Sequence, residues 1–360
     1  MKMKKGTHKV SRFLSEKLNK IVPYTPGEQP QGMDKLIKLN TNENPFPPSP
    51  KVQKALADFN CDNLRRYNDP TASKLLNALA NNYNLKTENC FACNGSDEVL
   101  AMIFTAFCPK QACFADITYG FYSVLSGLYS VKPVIIPLKD DYSICIDDYK
   151  NVECPIFIAN PNAPTGIALP IRKIETLLTQ NLNRLVIVDE AYVDFGAESS
   201  VNLVTRYDNL IVVGTFSKSR SLAGARLGFA FTNKDIIADL NRVKFSFHPY
   251  NVNSLTQILG TQAINDKEYF EDCCNKVINL REYTVTELSK LGCQILPSST
   301  NFIFLNPVKC SGEQYYNMLR KKNIIVRYFN TDRLKNFVRI TIGNKCEMDS
   351  LIEVTKDILK

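Results

Sequence analysis

Long apolar runs are missing from this chain. None approaches the ~20 residues that span a bilayer, which argues against a membrane-spanning helix. The first 22 residues are basic but lack a continuous apolar core, so no signal peptide is expected and the chain reads as cytoplasmic. Histidine is scarce: only His8 and His248 occur, neither amid other metal-ligating types, which argues against a metal hydrolase. No G-x-G-x-x-G occurs, which argues against a nicotinamide dehydrogenase. Internal repeats and low-complexity linkers are missing too.

Cysteine, by contrast, is plentiful. The twelve are scattered through 360 residues with no export signal, a pattern of reduced thiols rather than a disulfide framework. Cys90 and Cys93 have C-x-x-C spacing, but no second pair completes a zinc site, so they are read as part of a strand over 89–93. Adjacent Cys273 and Cys274 are read as packing residues of a helix. The net charge of +8 is spread among acids, apart from a tail carrying Lys2, Lys4, Lys5 and Lys9. No nucleic-acid motif accompanies that tail, so no nucleic-acid partner is expected. A mild positive bias suits small anionic substrates.

The length allows one large and one smaller domain. Apolar runs rich in Val, Ile and Phe cover 111–116, 132–138, 154–160, 184–189, 210–215 and 225–232. They mostly lack polar alternation, as strands buried on both faces of a mainly parallel sheet do. Helical patterns such as 96–108 and 171–180 lie between them, which makes the architecture α/β. Further on, a periodic stretch over 266–291 reads as one long helix. Strand–helix pairs follow at 301–306 with 312–322 and at 337–342 with 347–359, the pattern of a smaller α+β unit. Proline-rich residues 21–50 read as extended chain. The expected division is an N-terminal arm over 1–35, a large domain over 36–265 and a small domain over 266–360.

Polar residues follow apolar strands at three places: Asn160 to Gly166, Asp189, and Ser217 with Lys218. Ligands of open α/β sheets bind at the carboxyl ends of strands. If these strands are neighbours, an amide, a carboxylate and an ammonium converge on one crevice. The trio suits a pyridine cofactor. A carboxylate keeps the ring nitrogen protonated, and a lysine forms an imine and later carries protons. A phosphate anchor is available where Gly95, Ser96 and Asp97 open a helix, with Arg226 eight residues beyond Lys218.

Several segments, in order along nearly the whole chain, resemble the fold-type I pyridoxal-5′-phosphate (PLP) aminotransferases, most closely the histidinol-phosphate aminotransferase family. They are Asn40-Thr41-Asn42-Glu43-Asn44-Pro45, Arg66-Tyr67-Asn68-Asp69-Pro70, Asn94-Gly95-Ser96-Asp97-Glu98, Thr118-Tyr119-Gly120, the Pro161 to Gly166 segment, Asp189-Glu190-Ala191-Tyr192, Ser217-Lys218 and Leu222-Ala223-Gly224-Ala225-Arg226. The resemblance implies a large domain with a mainly parallel seven-stranded sheet, a smaller α+β domain, PLP as cofactor and a homodimer. It makes Lys218 the Schiff-base lysine, Asp189 the partner of the pyridinium nitrogen and Tyr192 a donor to the phenolic oxygen. Tyr119 would stack on the ring, and Ser96, Ser217 and Arg226 would hold the phosphate. Tyr67 would reach the phosphate of the neighbouring subunit. The family's usual asparagine before Pro164-Thr165-Gly166 is Ala163 here, so Asn162 or Asn160 is expected to supply that contact.

Substrate-side segments show the same likeness: Tyr24 to Pro30, Val326-Arg327-Tyr328-Phe329 and Val338-Arg339-Ile340-Thr341. They imply a pocket lined by Tyr24, Asn42, Arg327 and Arg339. Two guanidiniums and a phenol suit a phosphate dianion. The implied reaction exchanges histidinol phosphate with 2-oxoglutarate to give imidazole acetol phosphate and glutamate, within histidine biosynthesis. Competing readings are an aromatic-amino-acid aminotransferase, a threonine-phosphate decarboxylase of the same fold, and a non-catalytic PLP-binding regulator. The regulator is disfavoured because only a short arm precedes Asn40.

Overall fold

Seven strands lie side by side in the order Cys90–Cys93, Gly228–Phe231, Leu210–Thr215, Val186–Asp189, Ile156–Ala159, Gln111–Ala115 and Lys132–Ile136. The computed structural model describes residues 11–19, 21–30 and 36–360, and the Lys2 to Lys9 tail lies outside them. Every pairing is parallel except those of Gly228–Phe231, which runs against both of its neighbours. The expected α/β architecture with a seven-stranded, mainly parallel sheet is what the chain forms.

The unbroken apolar runs are explained by two-sided burial. Along Val186–Asp189, Val186 and Val188 enter one core cluster while Ile187 enters the other. Leu210 and Val212 alternate with Ile211 and Val213 in the same way. Successive side chains of a strand point to opposite faces, so a sheet covered on both sides needs apolar residues at each position. Each fully buried one contributes roughly 1.5–3 kcal/mol relative to exposure.

Lys132–Ile136 departs from the expectation of two-sided burial. It is the edge strand, its residues are exposed or half-buried, and Pro133 lies in it. An edge position tolerates the missing N–H of proline. The proline-rich stretch also ends earlier than its composition implies. Pro50 is the first residue of the helix Pro50–Ala57, capped by Ser49, whose side chain accepts from Val52 N. Proline suits a first helical position because no intrahelical acceptor awaits its N–H.

A second sheet, antiparallel throughout, has the order Arg327–Tyr328, Val338–Thr341, Phe302–Asn306 and Gln294–Ile295. The helix Lys267–Lys290 packs on it through one buried face, Cys274, Val277, Arg281, Thr284 and Leu288, at three- and four-residue spacing. Cys273 and Cys274 are both buried there, as packing residues. The helices Gly312–Lys321 and Lys345–Ile358 each begin with a capping box, Ser311 with Gln314 and Asn344 with Glu347. The pair Ile37–Lys38 runs parallel to Ile324–Ile325, and Leu39 joins the core beneath this second sheet. The twelve cysteines are free thiols. Among the described residues no helix is long and apolar enough to cross a membrane.

Candidate active site

The register of the large sheet aligns Ala159, Asp189 and Val213 at the carboxyl ends of neighbouring strands. A cleft of about 720 Å³ opens there. Its walls include Asp189, Lys218, Ser217 and Ser96 from the large sheet's loops, and Arg327 and Arg339 from the second sheet. Strand-end geometry thus brings the carboxylate and the ammonium into one crevice.

Asp189 is 5% exposed. Its Oδ2 accepts from Tyr122 Oη at 2.9 Å and its Oδ1 from Ala191 N at 3.3 Å. Burial pushes its pKa up to about 6, against the pull of those two hydrogen bonds. A cationic ring nitrogen facing this carboxylate would restore the lost solvation.

Lys218 follows the central strand Leu210–Thr215. Asn44 Nδ2 donates to the carbonyls of Lys218 and Ser219, at 3.0 and 3.2 Å, fixing the backbone beneath the side chain. The ammonium reaches into the cleft, donates to Thr41 O at 3.2 Å and stands 5.8 Å from the Tyr192 ring. No ion pair involving Lys218 forms among the described residues. Tyr192 Oη accepts from Asn42 Nδ2 at 2.9 Å. Asn42 lies in the left-handed region, φ 56°, which asparagine tolerates better than most residues. Thr341 Oγ1 and Asn301 Nδ2 hold its backbone at 2.9 and 3.0 Å. Because Asn42 donates, the Tyr192 hydroxyl proton stays free for another acceptor.

The candidate anion site centres on a helix start. The helix Ser96–Phe107 opens into the cleft, and its first-turn N–H groups have no intrahelical acceptor. Gly95 has φ +90°, and a Cβ there would meet Arg226 Nη2 at 2.5 Å. Gly228 lets the reversed strand approach, since a Cβ would fall 2.2 Å from Ser96 N. Arg226 stands 3.5 Å from Asp97 Oδ2, and Tyr119 Oη donates to Asp97 Oδ1 at 2.8 Å. Ser217 hydrogen-bonds Thr215 and lines the same wall.

Arg327 and Arg339 come from paired strands of the second sheet. Arg339 Nη2 donates to Asn40 O at 3.1 Å, while its buried Nε has no hydrogen-bond partner among the described residues. Burial lowers the pKa of Arg339, and the like charge of Arg327 adds to that. Among the described residues neither guanidinium has an ion-pair partner. Tyr24 packs edge-on against Tyr119 and Phe121, at 6.3 and 5.9 Å, from the arm over the cleft.

Gly95, Asn162 and its alternative Asn160 do not line the cleft, and Tyr67, expected to act toward a neighbouring subunit, lies on the surface. Gly95 sits behind the wall, shaping the helix start. Asn162 does not line the cleft: its amide donates to Ile117 O and Thr165 Oγ1, both at 3.0 Å, and accepts from Thr118 Oγ1. Asn160 is occupied likewise by the backbone of Leu169, so Ala163 faces the cleft with neither amide in its place. Tyr67 is 83% exposed and stacks on Tyr250 at 4.5 Å, outside the cleft. Sequence reasoning missed Tyr122 and the Thr41 carbonyl. The first lies three residues beyond Tyr119, in the opening turn of the helix Phe121–Tyr129, and that short spacing was the available signal.

An anchoring amine, a buried carboxylate facing the cleft and a helix start with Arg226 beside it fit a phosphorylated pyridine cofactor. The chain belongs to the class I and II aminotransferase family, whose model matches residues 34–354. Its relatives are more specific. The histidinol-phosphate aminotransferase of Brachyspira hyodysenteriae is 51% identical over 351 residues, covering 97% of this chain and 99% of that protein. That of Clostridium botulinum strain Okra is 47% identical over 352 residues, covering 97% and 99%. Among solved structures, a putative histidinol-phosphate aminotransferase from Erwinia carotovora atroseptica superposes with TM-score 0.83 at 25% identity, covering 90% of this chain and 96% of that one.

Proposed function

We propose that this chain binds PLP in the cleft and transfers the amino group of histidinol phosphate to 2-oxoglutarate, giving imidazole acetol phosphate and glutamate in histidine biosynthesis. One observation carries the reading: a single cleft holds Lys218 and Asp189 together with two guanidiniums that lack carboxylate partners among the described residues. Near-full-length relatives of that name, 51% and 47% identical, support it.

The bound cofactor supplies an electron sink for the carbon that bears the substrate amine. Lys218 Nζ would hold the cofactor and is the amine placed to carry a proton in the cleft. Asp189 would keep the ring nitrogen protonated, Tyr192 Oη would donate its free proton to the phenolic oxygen, and Tyr119 would stack on the ring. Ser96, Ser217, Arg226 and the helix start hold the cofactor phosphate. Arg327, Arg339 and Tyr24 bind the phosphate of the substrate. We further infer a cytoplasmic homodimer that puts exposed Tyr67 beside the neighbouring subunit's cofactor. Both half-reactions share one site, so kinetics are ping-pong.

The test is a half-reaction screen of the holoenzyme, followed by its visible absorbance. Histidinol phosphate reacts faster than phenylalanine by roughly 100-fold or more, because a site built for a phosphate is left unpaired by an analogue without one. A preference for phenylalanine, or carbon dioxide release from threonine phosphate, contradicts the substrate assignment.

A further inference from the structure

Directly behind Asp189 lies Tyr122, on the first turn of the helix Phe121–Tyr129. Its relative exposure is 0%. The ring is enclosed by Phe114 at 5.8 Å, Phe157 at 5.5 Å and, edge to face, Tyr119 at 5.7 Å. Phenylalanine would fill the same space without burying a hydroxyl, which costs free energy unless it is paired. Here the hydroxyl has a specific partner, the Asp189 carboxylate at 2.9 Å. It joins the ring that faces the cleft and the carboxylate that faces the cleft through one side chain.

We propose that Tyr122 is a positioning residue: its hydroxyl aims the Asp189 carboxylate at the cofactor's ring nitrogen and keeps it ionised, while its ring braces Tyr119. The inference rests on the reading of the cleft as a PLP site. Burial raises the Asp189 pKa, and the Tyr122 hydroxyl opposes that rise. The other ionisable groups around this carboxylate are Asp97 on the helix Ser96–Phe107, Tyr119 ahead of Tyr122, and Lys218 across the shared cleft. Asp97 works in the same direction as burial. Among these neighbours Tyr122 alone donates a hydrogen bond to Asp189 from a side chain.

The test compares Tyr122→Phe with the wild-type holoenzyme in two measurements that need no turnover. The first is the rate of cofactor loss under dilution, which rises roughly 10-fold, the scale of a hydrogen bond to a charged group. The second is the acid limb of cofactor retention. Losing a donor to the carboxylate raises its pKa, so the limb moves to higher pH by roughly one unit. In an Asp189→Asn background the Tyr122→Phe change has no further effect on either. Unchanged loss rate and acid limb overturn the proposal, and so does an equal effect in both backgrounds, which marks a packing role. Should Tyr122→Phe not fold, site-specific 3-fluorotyrosine at position 122 keeps the shape and strengthens the donor. The acid limb then moves to lower pH, and no movement overturns the proposal. Wild-type protein that holds no cofactor contradicts the PLP reading itself. Wild-type protein that holds it, beside an unaffected Tyr122→Phe, contradicts only this inference.

Discussion

Arg327 and Arg339 stand opposite each other in the antiparallel register of the second sheet, with the Phe329 ring 5.6 and 5.7 Å from their guanidiniums. Two like charges converge on one cleft, and the aromatic face offsets only part of the repulsion. A dianion between them offsets the rest. Arg339→Ala and Arg327→Ala therefore each raise KM for histidinol phosphate, roughly 10- to 100-fold, on the scale of a charge-assisted hydrogen bond. Cofactor affinity changes little in either variant. Steady-state kinetics beside a cofactor titration check this, and equal losses in both quantities refute the substrate role.

The buried carboxyls make cofactor-free protein sensitive to pH. Asp189 has a pKa of about 6 and Glu190 one of about 7, both raised by burial. A raised folded-state pKa contributes stability in full below the unfolded value, and that contribution is lost as pH rises through the folded value. The Tm of the cofactor-free protein therefore falls between about pH 4 and pH 7, and Asp189→Asn flattens part of that slope. Cofactor affinity runs the other way: it weakens as pH drops through about 6, because Asp189 takes up a proton. Calorimetry across pH measures the first, and fluorescence titration the second. A Tm that rises from pH 4 to 7 in wild type and variant alike contradicts the assignment.

Asn42 frees the Tyr192 proton by donating to its oxygen. Asn42→Asp keeps a residue tolerant of left-handed backbone but replaces the donor with an acceptor. The kcat falls roughly 10-fold, on the scale of one misdirected proton donor. An unaltered kcat shows that Tyr192 needs no such help.

Gly95→Ala tests the anion cradle. The added methyl meets Arg226 Nη2 and is strained at φ +90°. Cofactor affinity drops roughly 10-fold as Arg226 is displaced, while inorganic phosphate competes less well for the empty cradle. Wild-type affinity in this variant places the cofactor phosphate elsewhere.

Asp189 and Lys218 are legible in the sequence because each lies at or just beyond the end of an unbroken apolar run, and parallel strands align such ends. The reading of the Lys132–Ile136 strand as buried on both faces fails because composition does not show which strand is the edge. Tyr122 is hidden for another reason. Its partner is 67 residues away in the chain, and a helical tyrosine among aromatics looks like ordinary core. The Thr41 carbonyl is hidden further, since any residue type presents one to Lys218. Asn162 has the right chemistry within two residues of the expected place, but local contacts to Ile117, Thr118 and Thr165 occupy its amide.

Reduction of the holoenzyme with borohydride, followed by proteolysis and mass spectrometry, addresses the chemistry most directly. The cofactor-derived mass falls on the peptide containing Lys218, and Lys218→Ala takes up no label. A label on a different lysine, or none on wild-type protein saturated with PLP, contradicts the account.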